Sequence, residues 1–180
     1  MTNRQSDVDF YYILSSKYGY YVDSLHAIGI DEGDYKNILR EVTNNPHFCR
    51  DSESIEYWYF LELVQLSSKR DLCIYIEDQQ QIVGCCIISI ENNEIIIWGL
   101  CVPVASPKKY GSLILNKIKE FGKKAGLKLI SLSAHKSVLA FYTKNGFAPS
   151  DEDEDYERES IPMKYSLLSG GSPRFVVFMF

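Results

Sequence analysis

One loop of the sequence carries the residue types of a phosphate-binding site. Lys108 and Lys109 come just before Gly111 and Ser112, where a helix is predicted to begin. The unpaired amides and the dipole of a helix amino terminus attract anions, and the lysines add positive charge. We predict a phosphate site formed by Lys108, Lys109, Tyr110, Gly111 and Ser112. An ordinary turn before a helix explains the glycine equally well, so a structural role stays open.

A bulged strand is predicted directly before that loop. Gly99 interrupts an otherwise β-branched strand, and an internal glycine often marks a bulge or a close approach of another group to the backbone. A bulge here is expected to leave the amides of three residues, Leu100, Cys101 and Val102, able to bind an extended ligand.

A tyrosine hydroxyl is the third feature that invites a chemical role. Residues 136–145 are predicted to form a short helix that ends at Gly146. Val138, Phe141 and Tyr142 would form its inner face. Packing explains the ring of Tyr142 but leaves the function of its hydroxyl open.

The elements that position these residues follow from the periodicity of the chain. Apolar runs separated by the short turns DQQQ and ENNE favour tight antiparallel hairpins, and Gly126 lies where a left-handed C-cap belongs. The predicted elements are strands 72–76, 82–90 and 95–102, helix 112–125, strand 127–134, helix 136–145, and strands 161–168 and 174–180. This order predicts an α/β domain with a mixed sheet.

The first 70 residues are predicted to be mainly helical. Apolar residues from 35 to 42 recur at i, i+3, i+4 and i+7, with Asp31 available as an N-cap and Pro46 marking the exit. Residues 52–64 form a second helical segment, apolar on most of its circumference. The Tyr-rich stretch 10–21 fits either a strand or a helix.

Composition and charge limit the classes of function. The chain has 180 residues, 46% of them apolar and 24% charged, as expected for one globular domain. Its net charge of −5 disfavours binding to nucleic acid. The longest apolar stretch, 95–105, is shorter than the roughly 18 residues that a membrane span needs, and the amino terminus lacks a signal-peptide core. We therefore expect a cytoplasmic protein that binds neither nucleic acid nor membrane.

The charge is unevenly distributed along the chain. Residues 151–159 contain seven acidic residues and one arginine, whereas residues 106–124 contain six lysines and one glutamate. The acidic run either steers a basic ligand electrostatically or is a solvated loop. The basic segment leaves room for a small phosphate-bearing cofactor.

The cysteines do not predict a metal site. No C-x-x-C pair occurs and no histidine stands at metal-ligand spacing, so no metal ligand is assigned. We expect the cysteines to be reduced residues of a cytosolic core: Cys49, Cys73, Cys85, Cys86 and Cys101.

The order and spacing of these segments resemble the GNAT superfamily of acyl-CoA-dependent N-acetyltransferases. The counterparts of the family's motifs are LCVP (100–103), the loop 106–111, KKAGLK (123–128), FYTKNGF (141–147) and IPMKYSLL (161–168). The resemblance implies a mostly antiparallel mixed sheet flanked by helices. It further implies a single domain in which residues 1–70 shape the acceptor side, residues 72–168 form the core with the cofactor loop, and residues 169–180 add a strand.

The cofactor loop departs from the family's pattern. The family's Arg falls on Ser106 and its first Gly on Lys109, so Gly111 alone is retained. Lys108 and Lys109 would restore the charge as point charges, while a side chain at position 109 would crowd the approach of a phosphate to the backbone. Two alternatives stay open: an acetyl-CoA-dependent enzyme, and a GNAT-like scaffold that binds or oligomerises without catalysis.

The resemblance implies direct attack of a substrate amine on the thioester of acetyl-CoA, in a ternary complex. Residues 100–102 and 108–112 would bind the cofactor, and the N–H of Cys101 or Val102 would stabilise the oxyanion. Tyr142 matches the family tyrosine that protonates the leaving thiolate. The position of Cys101 matches a backbone-binding residue and not a covalent nucleophile.

Neither the general base nor the acceptor can be assigned from the sequence. Glu94 lies far from the bulge, and Ser133 and His135 have structural explanations as well. The acceptor is expected to be a small amine, a polyamine or a protein amine. The apolar residues 174–180 must pair within the sheet or with a second subunit, which would make a homodimer through this strand.

Overall fold

The computed structural model of the protein describes residues 8–44, 65, 71–102, 108–150 and 159–168. The strands are β1 (Val8–Leu14), β2 (Ile30–Glu32), β3 (Leu72–Asp78), β4 (Gln81–Glu91), β5 (Glu94–Cys101), β6 (Leu129–His135), β7 (Ala148–Pro149) and β8 (Ser160–Ser166). The α-helices whose bounds lie within the described residues are α1 (Val22–His26), α2 (Tyr35–Asn44), α3 (Tyr110–Lys124) and α4 (Leu139–Lys144). Two 3₁₀ helices, Ser16–Tyr21 and Lys136–Val138, precede α1 and α4.

The eight strands of the described residues belong to one sheet, in the order β2-β1-β3-β4-β5-β6-β8-β7. Two neighbouring pairs are parallel, β1 with β2 and β5 with β6. The other five pairs are antiparallel. The prediction of a mixed, mostly antiparallel sheet flanked by helices is confirmed.

The two predicted hairpins are confirmed, and each turns on two residues with positive φ. Gln79 and Gln80 have φ of 51° and 64°, and Asn92 and Asn93 have φ of 51° and 63°. Two consecutive left-handed residues match the right-handed twist of the flanking strands. These turns align β3, β4 and β5 side by side in the middle of the sheet.

The sheet is covered on both faces. The buried apolar side of α3, which includes Ile114, Ile118 and Phe121, packs against a cluster that contains Ile95 and Ile130. We call this the α3 face. On the opposite face, Ile38 and Val42 of α2 pack against Tyr75 and Ile87, and we call this the α2 face. Because side chains alternate along a strand, neighbouring residues of β5 and β6 point to opposite faces.

The amino-terminal part contains strands that the sequence analysis did not predict. The Tyr-rich stretch contains both candidate structures, since β1 occupies Val8–Leu14 and a 3₁₀ helix follows. The prediction of Asp31 as the cap of α2 is wrong, because Asp31 lies in β2 opposite Tyr11. Asp34 takes that role, with its Oδ1 accepting a hydrogen bond of 2.8 Å from the Lys36 N–H. Pro46 and residues 52–64 and 174–180 lie outside the described residues.

Glycines end both helices of the core. Gly126 has φ of 73°, and the Leu127 N–H donates to the Gly122 carbonyl over 2.8 Å. Gly146 has φ of 88° and ends α4 in the same way, with the Phe147 N–H donating to the Tyr142 carbonyl over 3.1 Å. Both predicted caps are therefore confirmed. Helix α3 begins at residue 110 instead of 112, and the segment predicted as one helix from 136 is a 3₁₀ turn followed by α4.

The cysteines correct one expectation. Cys73, Cys85 and Cys86 are free and buried, whereas Cys101 is disulfide-bonded, so the prediction of reduced cysteines is wrong for Cys101. Alternating apolar residues report burial but carry no information on the oxidation state of a thiol. Cys49 lies outside the described residues.

Two further findings apply to the ranges that the structure describes. No helix there combines the length and apolar composition that crossing a membrane requires. No three His, Cys, Asp or Glu side chains there come together as a metal site would require.

The two helix-ending glycines make a testable pair. We expect Gly126→Ala to lower the free energy of unfolding by about 1–2 kcal/mol, because L-residues are strained at positive φ and no other atom lies within 4 Å of the added Cβ. Gly146→Ala should cost more, because its Cβ would also lie 3.1 Å from the Tyr165 ring. Urea unfolding measures both changes.

Gly19→Ala is the matched control, since Gly19 has neither positive φ nor an atom within 4 Å of the added Cβ. Equal stability of Gly126→Ala and Gly19→Ala would contradict the account of these helix ends.

Candidate active site

The sheet opens between two of its central strands. β5 and β6 are paired in parallel only where residues 94–97 face residues 129–132. Beyond that point β5 stays paired with β4 and β6 stays paired with β8, and no pairing among the described residues joins β5 to β6 again. The two diverging edges define a gap, which we call the β5–β6 gap. Backbone N–H and C=O groups along such edges are ready partners for an extended ligand.

A β-bulge in β5 coincides with the start of the gap. On β4, Ile88 is opposite Ile97 and Ile87 is opposite Gly99, so Trp98 has no partner residue. An extra residue bends its strand and increases the local twist, which accounts for the divergence of β5 from β6. The bulge predicted from Gly99 is thus confirmed, one residue earlier in the chain.

The three residues predicted to bind a ligand through their amides border this gap. Leu100 is half-buried opposite Cys86, and Cys101 is buried opposite Cys85. Val102 follows directly, and its Cγ1 lies 2.8 Å from the position of a Cβ built at Gly84. The backbone that would hold an extended ligand is therefore fixed against β4. Binding through these amides stays a prediction.

The beginning of α3 is held close to α4 by a glycine. A Cβ built at Gly111 would lie 2.9 Å from Cζ of Phe141 and 3.6 Å from Cγ2 of Val102. Because contacts below 3 Å force a neighbour to move, only glycine fits here without rearrangement. Gly111 thus has a packing role in addition to the phosphate contact predicted for it. Gly111 and Ser112 form the first turn of α3.

Two of the predicted phosphate ligands are bound to a carboxylate that sequence reasoning missed. The ammonium of Lys108 and the hydroxyl of Tyr110 both donate to Oδ2 of Asp78, at the end of β3. Asp78 is 7% exposed. The bonds from Lys108 and then from Tyr110 hold the pKa of Asp78 below its usual range, and the same carboxylate raises the pKa of Lys108. This cluster anchors the start of α3 to the sheet.

Lys109 is placed differently from Lys108. It is the N-cap residue of α3, and its exposed side chain makes no capping hydrogen bond. Its backbone carbonyl accepts from the Leu113 N–H over 3.0 Å. Within the part of the chain that the structure describes, its ammonium has no ion-pair partner. Of the two loop lysines, Lys109 is the one whose charge is not offset by Asp78.

Tyr142 lies on the α3 face, close to β4. Its ring packs edge to face on Phe141 and Phe147, with centroids 5.0 and 5.8 Å away. Burial and then the nearby Cys86 raise the pKa of the phenol, and Cys86 is the β4 partner of Leu100. No hydrogen bond to the hydroxyl comes from the residues described. Because its pKa is raised, the phenol keeps its proton across the ordinary pH range.

The residues considered for the general base do not converge on the gap. Nδ1 of His135 accepts a hydrogen bond of 3.4 Å from the Ser137 N–H and lies 2.9 Å from the Ser137 hydroxyl, which makes it a helix cap. Glu94 lies at the far end of β5, opposite Glu91 in the hairpin. Ser133 is exposed on β6, just beyond the last residue paired with β5. The structure brings only Ser133 of these to the gap.

Comparisons with known proteins agree with this geometry. Residues 69–149 match the family model described as an acetyltransferase (GNAT) domain. A GNAT-family protein from Desulfovibrio desulfuricans superposes with a TM-score of 0.61 at 13% identity, over 89% of this chain and 99% of that one. PaiA N-acetyltransferase from Thermoplasma acidophilum, in complex with coenzyme A, gives a TM-score of 0.55 at 18% identity, with coverage of 89% and 99%.

Nourseothricin acetyltransferase is less similar, with a TM-score of 0.46 and 13% identity. The match covers 54% of this chain and 65% of that protein. No curated protein matches the chain in sequence. Residues 69–149 thus match a GNAT domain in sequence, and the sheet has the GNAT fold of these structures.

The two loop lysines should contribute unequally to coenzyme A binding. We expect Lys109→Ala to weaken binding about tenfold, the equivalent of one hydrogen bond to a charged group. Lys108→Ala should weaken it more, because the uncompensated Asp78 carboxylate would then repel the phosphates. The double variant Lys108→Ala with Asp78→Asn should recover most of that loss. Isothermal titration with coenzyme A measures all three.

Titration with dephospho-coenzyme A is the control, and an equal loss for both ligands assigns Lys109 to the pyrophosphate. Two results together would make Lys108 the direct ligand instead. Lys109→Ala would leave the affinity unchanged, and Asp78→Asn would not restore the affinity lost in Lys108→Ala.

Proposed function

We propose that this chain is an acyl-CoA-dependent N-acetyltransferase, which moves an acetyl group from acetyl-CoA to a primary amine. The observation that carries the proposal is the β5–β6 gap, flanked by the amino terminus of α3 and by the Tyr142 hydroxyl. A strand edge, a helix amino terminus and a proton donor are the three groups that an amine acylation by a thioester of coenzyme A can use. The match to the GNAT domain supports the same reaction class.

Cofactor binding follows from the two ends of the site. The pantetheine arm carries two amides on an extended chain, and it pairs with the edge of β5 at residues 100–102 as an added strand would. The pyrophosphate lies at the first turn of α3, where Gly111, Ser112 and Lys109 supply N–H groups and charge. Lys108 and Tyr110 hold that turn in place through Asp78.

The acceptor amine attacks the thioester carbonyl directly, forming a C–N bond before the C–S bond breaks. The amine must first lose a proton, since a free alkylamine has a pKa near 10.4, as for lysine. The negative charge that develops on the carbonyl oxygen is stabilised by the N–H of Cys101 or Val102. The leaving thiolate takes the phenolic proton of Tyr142, and solvent later restores that proton.

The proton of the amine passes to water in this proposal. Among the described residues that border the gap, Ser133 is the polar side chain just past the divergence of β6, and its hydroxyl can hold such a water. The acceptor is a small amine, a polyamine or a protein amine.

One observation favours a second candidate, a GNAT-like module that binds without catalysis. Asp78 places a carboxylate beside the predicted phosphate site and offsets the charge of Lys108, and the family's loop arginine is replaced by Ser106. Association through the apolar residues 174–180, as in a homodimer, belongs to this candidate as well. Cofactor binding and turnover separate the two.

Binding of acetyl-CoA is the first test of the proposed function. We expect one site per chain with a Kd below 1 mM, about −4 kcal/mol or stronger, measured by isothermal titration, and release of free thiol when a primary amine is added. Absence of binding at millimolar acetyl-CoA would contradict the enzyme and leave the binding module.

Replacement of Tyr142 tests its role as the proton donor. We expect Tyr142→Phe to lower kcat about 10²-fold, within the usual range for a general acid, with the Kd for acetyl-CoA changed less than twofold. Because burial raises the pKa of Tyr142, the phenol stays protonated past the ordinary tyrosine value near 10. Deprotonation of Tyr142 therefore does not lower the rate below about pH 10.

Tyr165→Phe is the matched control, since Tyr165 packs on the same Phe147 ring, with centroids 5.4 Å apart, but belongs to β8. A Tyr142→Phe enzyme as fast as Tyr165→Phe would remove Tyr142 from the acid role.

A further inference from the structure

Lys119 joins the helix that begins at the predicted phosphate site to the helix that carries Tyr142. It lies in the third turn of α3, and its ammonium donates a hydrogen bond of 2.5 Å to the carbonyl of Asn145, the C-cap residue of α4. The carbonyls at the end of a helix have no partner within the helix, and their partial negative charge is stabilised by a cation. The end of α4 is therefore capped by a side chain of α3.

The ammonium of Lys119 also lies over two aromatic rings next to Tyr142. It is 4.3 Å from the centroid of the Tyr165 ring and 5.6 Å from that of the Phe147 ring, and both distances are in the range of a cation–π contact. Phe147 in turn packs edge to face on Tyr142, with centroids 5.8 Å apart. Lys119 thus contacts a ring on which the phenol packs as well as the end of the helix that carries the phenol.

Partial burial strengthens these contacts. The Lys119 side chain is half-buried, and burial, followed by the nearby Lys123, lowers the pKa of its amine. A hydrogen bond is electrostatically stronger where water is partly excluded, and a charged donor contributes more to stability than a neutral one. Loss of Lys119 is therefore expected to loosen the end of α4.

Helix α4 depends on such contacts because it is short. It has six residues, Leu139–Lys144, and a helix of that length is unstable in water on its own. One contact with α3 is the close approach of Gly111 to Phe141, and a second is the bond from Lys119 to Asn145. Two points of contact fix the direction of α4 as well as its place. Tyr142 lies between these two points along the chain, so its orientation depends on both.

We propose that Lys119 is a positioning residue of the proposed transferase and acts through Tyr142. It aligns α4 on α3, so that the phenol faces the thioester of a cofactor whose phosphates are bound at the first turn of the same α3. The inference rests on the proposed function, and it assigns to Lys119 no contact with the reacting atoms.

Lys117 provides a matched control on the same helix. Its ammonium donates a hydrogen bond of 2.7 Å to the carbonyl of Ile28, pairs with Glu120, and lies 5.3 Å from the centroid of the Phe10 ring. Side chains two positions apart on a helix do not face each other. Lys117→Met therefore removes a carbonyl bond and a cation–π contact, as Lys119→Met does, without touching α4.

Steady-state kinetics with acetyl-CoA and a primary amine test the proposal. We expect Lys119→Met to lower kcat about tenfold, because a displaced proton donor is misaligned with the leaving group, with the KM for acetyl-CoA changed less than twofold. Lys119→Arg should restore most of kcat, since a guanidinium can donate to the same carbonyl, and Lys117→Met should change kcat less than twofold. In a Tyr142→Phe background, Lys119→Met should lower kcat less than twofold, because residues that act as a unit are not additive.

Two results would overturn the proposal while leaving the transferase intact. In one, the double variant loses kcat by the product of the two single losses. In the other, Lys119→Met and Lys117→Met lower kcat equally. Release of no thiol by the wild type would instead count against the proposed function.

Amide hydrogen exchange decides the role of Lys119 without turnover. The N–H groups of Gly146 and Phe147 donate to carbonyls of α4, so their exchange reports how firmly that helix end is held. We expect exchange at these two amides to be at least tenfold faster in Lys119→Met, and to keep the wild-type rate in Lys119→Arg and Lys117→Met. Exchange in Lys119→Met at the wild-type rate would overturn the proposal.

Discussion

The single extra residue at Trp98 is the constraint on which the site depends. By shifting the register of β5 on β4, it turns the rest of β5 away from β6 and opens the centre of an otherwise continuous sheet. The strand edges on either side of the opening carry backbone groups that would pair with each other in a closed sheet, and such groups are costly to bury without partners. In the proposed function, an extended cofactor would pair with these edges.

The rest of the structure fixes what surrounds the opening. Gly111 lets α3 approach Phe141 of α4, and the Asp78 cluster ties the start of α3 to β3. These contacts hold the predicted phosphate site in place without the family's loop arginine. Ser106 stands at the position of that arginine, and Asp78 offsets the charge of Lys108. Lys109 is therefore the loop residue whose positive charge Asp78 does not offset.

Local rules account for the parts of the fold that were predicted correctly. The short polar segments between the apolar runs predicted tight turns, and these turns lie at Gln79, Gln80, Asn92 and Asn93. Gly126 ends α3 because the backbone there is left-handed. Gly99 indicated the bulge for a similar reason, since it interrupts a β-branched strand. The divergence of β5 from β6 was not predicted, and the strand pairing shows it.

The features missed by sequence reasoning depend on contacts between distant residues. Asp78 is 30 positions from Lys108 and stood in the sequence as a turn residue, while the bond from Lys119 to α4 needs Asn145, 26 positions away. β1 was ambiguous because its tyrosines suit a strand and a helix alike, and its pairing with β3 decided the outcome. The disulfide of Cys101 left no signal in the apolar pattern around it.

Amide hydrogen exchange with and without acetyl-CoA tests most directly whether the β5–β6 gap is the cofactor site. The account predicts that acetyl-CoA slows exchange along β5 after the bulge, at residues 99–102, and in the first turn of α3, while α2 is unaffected. Protection confined to another part of the chain, or exchange at these amides that acetyl-CoA does not alter although it binds, would contradict it.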